Sequence, residues 1–173
     1  MSKPKLWIVS VREPIFYGRM YRRLVERCPD RIGGVILLPN PATHTLRGFI
    51  GETVYRLSFL GLRGFAYASW RYLRAAVSGE GDIARAARAN AIALWSVDNI
   101  RDAAEVLRGN DARIVLASVA ARVGAAELSG VPCGWINTHC GPLLRYGGLD
   151  APFWCLYHDE PQLTVTLHYM DAE

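Results

Sequence analysis

Short, nearly unbroken apolar runs recur along this chain, and they constrain its fold more than any other feature. Residues 6–11 read Leu-Trp-Ile-Val-Ser-Val and residues 33–38 read Gly-Gly-Val-Ile-Leu-Leu. A strand exposed on one face alternates apolar and polar residues; a strand covered on both faces does not. Comparable runs lie at 91–95, 113–117 and 133–137, and a β-branched run lies at 162–170. Helical patterns separate them. Pro14 suits the first turn of a helix. Tyr17, Met20, Tyr21, Leu24 and Val25 then recur at helical spacing until Pro29-Asp30 stops them. A second helix is expected over 99–107, capped by Asp98 or Asn99, with shorter ones over 123–128 and 151–157. Strands alternating with helices imply a doubly wound, mostly parallel α/β sheet. Such sheets bind their ligands beyond the carboxyl ends of the strands.

The 173 residues suffice for one domain. A chain of this size buries roughly 70% of the surface its unfolded form exposes, so no disulfide or metal staple is needed. With 51% hydrophobic and 21% charged residues, disordered and collagen-like classes are excluded. Cys28, Cys133, Cys140 and Cys155 form no Cys-x-x-Cys pair and read as reduced thiols of a cytosolic, hence cytoplasmic, protein. The histidines, His44, His139, His158 and His168, are equally scattered, and no metal site is expected. The first apolar run is too short for a signal peptide. Residues 54–70 contain Arg56 and Arg63 and do not read as a membrane span, so no membrane partner is expected. The net charge of +4 permits an acidic partner such as RNA or a phosphorylated substrate without demanding one.

Residues 43–90 interrupt the alternation. They carry seven arginines against three acids, interleaved with Phe49, Tyr55, Phe59, Phe65, Tyr67, Trp70 and Tyr72. The favoured reading is a helical insertion whose aromatic face packs on the sheet and whose arginines are solvated. The competing reading is a basic surface for a nucleotide, tRNA or partner protein.

The turn after the first strand is Ser10-Val-Arg-Glu-Pro14, not a Gly-x-Gly-x-x-Gly loop. No phosphate-binding Gly-Lys-Ser/Thr loop and no His-x-x-x-His pair exists. Chemistry concentrates instead in residues 137–148. Asn137 is expected to close a strand, with His139 at its carboxyl end. Residues two apart on an extended backbone point the same way. An amide donor and an imidazole then converge on one pocket, suited to holding an oxyanion and moving a proton. The bland alternative is a strand-end histidine bonded to a backbone carbonyl.

Asn137-x-His139, then Leu143, Tyr146, Gly148, Trp154, Thr166 and His168-Tyr-Met-Asp171, resembles the formyltransferase family that uses 10-formyltetrahydrofolate. The family pattern is Asn-x-His-x-Ser-Leu-Leu-Pro-x-Tyr-x-Gly, followed by a tryptophan and Gly-x-Thr. The resemblance covers residues 91–171, is weaker over 1–40 and is negligible over 43–90. The family serine falls at Gly141, its Leu-Leu-Pro run becomes Pro142-Leu-Leu144, and its folate loop reads Arg122-Val-Gly124.

The resemblance implies a three-layer Rossmann-like fold and a single catalytic domain over 1–173. It implies formyl transfer from 10-formyltetrahydrofolate, as co-substrate, to a primary amine on a small molecule, such as an amino-sugar nucleotide, or on tRNA. His139 is then the general acid and Asn137 the donor to the same oxygen. Backbone amides of Ala121, Arg122 and Val123 hold the pterin, and Arg12 and Pro14 line the substrate cleft. The family aspartate that polarises the histidine falls just past Glu173, so the chain is expected to be a C-terminally truncated portion of a longer protein. His168 and Trp154 read as structural. Cys140 is discounted as a nucleophile, because strand neighbours face opposite ways. Two alternatives stay open: hydrolysis of formyltetrahydrofolate, and a non-catalytic folate- or partner-binding relative.

Overall fold

The computed structural model describes residues 5–13, 15–40, 45–119, 122–148 and 151–171. Six strands form one sheet in the order β3-β2-β1-β4-β5-β6. They are β1 (Leu6–Val11), β2 (Ile32–Leu38), β3 (Ala93–Ser96), β4 (Ile114–Ser118), β5 (Trp135–His139) and β6 (Thr166–Tyr169). The first five pair in parallel, and β6 runs antiparallel to β5. The doubly wound, mostly parallel sheet expected from the alternating runs, and the Rossmann-like fold implied by the resemblance, are therefore present.

β1 explains its own lack of alternation. Ile8 and Val9 are both fully buried, yet they belong to opposite layers. Trp7 and Val9 pack with Leu107, Val115 and Trp135. Ile8 packs with Tyr21, Val25, Ile83 and Ala87. Side chains alternate across the sheet, so a strand between two helix layers is apolar toward both, here at every position but Ser10. One layer comprises α1 (Tyr17–Arg27) and α3 (Ile83–Ala89); the other contains α4 (Ile100–Gly109) and α5 (Ala125–Leu128). The Asn99 side chain accepts from Asp102 N at 3.0 Å, so the cap of α4 is Asn99, not Asp98.

Three expectations change. β5 begins at Trp135, not residue 133, because its ladder with β4 opens at the Val115–Trp135 pair. His139 therefore lies on the strand, and Asn137 is at its centre rather than its end. β6 is limited to four residues, since β5 presents only residues 136–139 to it; Leu163 and Val165 lie outside the ladder and are exposed.

The third change concerns the segment between β2 and β3. It forms α2 (Leu46–Ser78), 33 residues long, followed by α3. The aromatic face of α2 does not pack on the sheet. Both sheet faces are already covered by other helices, and the only buried residue of α2 is Ala75. Thr45 caps its start, its Oγ1 accepting from Gly48 N at 3.0 Å. The helix breaks at Gly61, where φ is +64° and ψ 174°, a conformation open to glycine. α6 (Ala151–Tyr157) touches α2 edge-on, Phe153 against Phe59 at 4.8 Å.

Tyr21 ties α1 to the sheet directly beneath the carboxyl edge. Its hydroxyl lies 2.6 Å from Ser118 Oγ and 3.3 Å from Thr138 Oγ1, and all three side chains are buried. Burial pushes the phenol above its ordinary pKa, opposed by the two hydroxyl contacts. Tyr21→Phe keeps the packing but leaves two buried hydroxyls without this partner. A loss of about 1–3 kcal/mol in urea unfolding is expected. The sign of the pH effect follows from the raised value. The neutral phenol is favoured in the fold, so the stabilisation is complete below the unfolded-state pKa of about 10 and falls as pH rises above it. The wild-type chain should lose stability over that alkaline window more steeply than Tyr21→Phe.

Candidate active site

The strand order reverses between β1 and β4: β2 and β3 lie on one side of that point, β5 and β6 on the other. A crevice opens there at the carboxyl ends of parallel strands. It contains a cavity of about 300 Å³, walled by Val11 of β1, Tyr17 of α1, Ser118 at the end of β4, Val119 just past it, and Asn137, Thr138 and His139 from β5. Cys140, Leu143, Gly148 and His168 complete it. Asn137 and His139 thus share one cavity.

Asn137 faces His168 directly across the antiparallel ladder. Asn137 Nδ2 is 3.1 Å from His168 Nε2, and His168 Nδ1 is 3.0 Å from the Tyr169 carbonyl. A carbonyl only accepts, so Nδ1 carries the ring proton and Nε2 accepts from the Asn137 amide. His168 therefore sets the amide's orientation, leaving Asn137 one further N–H. His168, read from sequence as structural, lines the cavity and holds its amide donor.

His139 is buried, with Nε2 2.7 Å from the Tyr146 carbonyl. Nε2–H is the donor, which leaves Nδ1 as the acceptor of the neutral ring. The carbonyl-bonded histidine, the bland alternative, is thus the geometry present, and the same ring also walls the cavity.

The loop that supplies this carbonyl is fastened at several points. Glu160 Oε1 accepts from Tyr146 Oη and from Arg145 Nη1, each at 2.7 Å. The hydrogen bond to Glu160 raises the Tyr146 phenol above its ordinary pKa. The Tyr146 ring stacks on His158 at 5.7 Å, and Thr166 Oγ1 donates to the Gly141 carbonyl at 2.7 Å. Gly141 has φ +149°, and a Cβ there would lie 2.8 Å from Ala151 Cβ. A serine at this position does not fit the loop as it packs against α6.

Cys140 lies one residue past β5, where strand alternation no longer applies, and lines the same cavity as His139. Its Sγ is 3.8 Å from Tyr17 Oη. Burial, then the neighbouring Cys140, pushes the Tyr17 phenol far above its ordinary pKa, keeping a neutral donor in the wall.

Arg12, Arg122 and Val123 do not line this cavity. Arg12 follows β1 on the side opposite Val11, and its Nη2 donates to Ser96 Oγ at 2.8 Å. It lines a separate cleft with Tyr72, Asp82 and Arg88. Val123 is buried in the core beside Val131 and Trp135, and Arg122 is exposed. Pro14 and Ala121 lie outside the described residues. Val11, Tyr17, Ser118 and Val119 were missed from sequence. Strand order brings them together, and no local motif marks them. Among the described residues, no group of three or more His, Cys, Asp or Glu side chains could hold a metal ion.

No protein-family model and no curated protein sequence matches the chain. Solved structures do. Phosphoribosylglycinamide formyltransferase from Anaplasma phagocytophilum aligns over 99% of this chain and 67% of its own, with a TM-score of 0.61 and 14% identity. Glycinamide ribonucleotide transformylase 1 from Symbiobacterium toebii aligns over 98% of this chain and 68% of its own, with a TM-score of 0.59 and 15% identity. Phosphoribosylglycinamide formyltransferase from Streptococcus pneumoniae TIGR4 aligns over 99% and 76%, with a TM-score of 0.58 and 11% identity. Resemblance in the motif around Asn137 and likeness in backbone geometry agree, and the chain has the phosphoribosylglycinamide formyltransferase fold.

Proposed function

We propose that this chain is a formyltransferase catalytic domain that moves a formyl group from 10-formyltetrahydrofolate to the primary amine of a small molecule. The observation that carries the reading is the pairing of Asn137, oriented by His168, with His139 in one cavity at the strand-order reversal. The cavity suits a one-carbon carbonyl group. Val11, Val119 and Leu143 give it apolar walls, and Asn137 and His139 give it polar groups.

The reaction joins the amine nitrogen to the formyl carbon, breaks that carbon's bond to the folate nitrogen, and moves one proton from the amine to the folate. Asn137 donates its free N–H to the formyl oxygen as negative charge builds there. His139 keeps Nε2–H on the Tyr146 carbonyl and uses Nδ1 to take up the amine proton and return it to the leaving nitrogen. As an imidazolium it donates from both nitrogens and supports the oxyanion. Glu160 holds Arg145 and Tyr146, and through them the carbonyl that fixes the His139 tautomer.

Incubation with 10-formyltetrahydrofolate and a panel of small amines, read by mass spectrometry, is expected to yield an N-formyl product. Release of formate without an adduct instead supports the hydrolase reading. Binding without turnover supports a non-catalytic relative. Asn137→Ala and His139→Ala are each expected to lower kcat by about 100- to 1,000-fold with folate binding retained. Glu160→Gln is expected to lower kcat by roughly 10-fold or more through misplacement of His139, with the unfolding midpoint checked in parallel.

A further inference from the structure

α2 presents an apolar stripe to solvent, on the side turned away from the protein. Before the break at Gly61, Leu46, Phe49, Ile50, Val54, Leu57 and Leu60 recur at three- and four-residue spacing. After it, Trp70, Leu73 and Val77 do the same, and Leu62 lies on their face of the helix eight residues before Trp70. Every one of these residues is 41–80% exposed. The inward contacts come from other positions: Phe59 meets Phe153, and Ala75 is the buried residue. A period-3.6 stripe normally faces a core; here it faces outward along both halves of a 33-residue element.

The charge pattern decides what covers it. α2 carries Arg47, Arg56, Arg63, Arg71 and Arg74 against a single acid, Glu52, which pairs with Arg56. Arg47 and Arg63 border the stripe on the helical wheel. Arg74 sits over the Trp70 ring at 5.6 Å. A second copy of this chain in a symmetric pairing would set two such basic helices against each other. RNA would match the arginines, but it leaves the Leu, Ile and Val side chains uncovered. A surface of anionic lipid satisfies both, taking the apolar side chains into the acyl boundary and the arginines among the headgroups. No helix among the described residues is long and apolar enough to cross a membrane. The geometry points to α2 as an interfacial helix that docks this chain on an anionic lipid surface. This inference is independent of the reaction at His139.

Flotation of the 173-residue chain with vesicles tests it. The chain should float with equimolar phosphatidylcholine and phosphatidylglycerol, bind phosphatidylcholine alone far less, and be released by salt. Arg47→Gln with Arg63→Gln should weaken binding to the anionic vesicles roughly 30-fold. Leu62→Glu with Leu73→Glu should abolish flotation with the unfolding midpoint unchanged. Ile50→Glu with Leu57→Glu in the other half repeats the test should the first pair disturb folding. Absence of flotation with anionic vesicles overturns the proposal. So does flotation that survives the glutamate substitutions in both halves. A stable dimer that these substitutions dissociate, without vesicle binding, overturns it in favour of a second copy, and RNA binding without vesicle binding overturns it in favour of RNA.

Discussion

The burial of β1 on both faces is the constraint on which the rest of the structure depends. Ile8 and Val9 lose all contact with water while pointing in opposite directions, so helices must cover both sides of the sheet. Covering both faces of a parallel sheet requires crossovers on both, and the chain achieves this by building outward from β1 in two directions. β2 and β3 extend one way, β4 and β5 the other. The crevice where these two series part brings the carboxyl ends of β1, β4 and β5 around one open space.

That crevice derives its chemistry from β5 and the antiparallel strand beside it. A parallel neighbour for β5 would require another crossover helix. The antiparallel β6 instead brings His168 opposite Asn137 and Thr166 opposite His139. One cross-strand pair orients the amide, and the other, through Thr166 and Gly141, pins the loop that carries the Tyr146 carbonyl. Each polar group of the site is thus held by a second group on a different element. This is how a site keeps its geometry without depending on loop rigidity alone.

α2 illustrates a different consequence of the same constraint. With both sheet faces occupied, a long apolar helix inserted between β2 and β3 has no core left to join. It contacts the body through Phe59 and Ala75 and leaves its apolar stripe outward. The composition of residues 43–90 was legible as basic and aromatic. Which way the stripe faces was not, because amphipathic periodicity is the same whether a helix meets a core or a foreign surface.

By itself the sequence determined the strand runs, the helix around Tyr21 and Val25, the Asn99 region as a helix start, and the Asn137-x-His139 motif. These are properties of local periodicity, capping and spacing. Only the tertiary structure decided that Val11, Ser118 and Val119 wall the same cavity as His139, and that Arg12 turns instead toward Ser96. It also decided that His168 orients Asn137, that His139 gives its Nε2 proton to the Tyr146 carbonyl, and that Gly141 has no room for a side chain. The physical reason is common to all of these. They depend on which strands become neighbours and in what register, and that is settled by the packing of both sheet faces rather than by any segment of the chain.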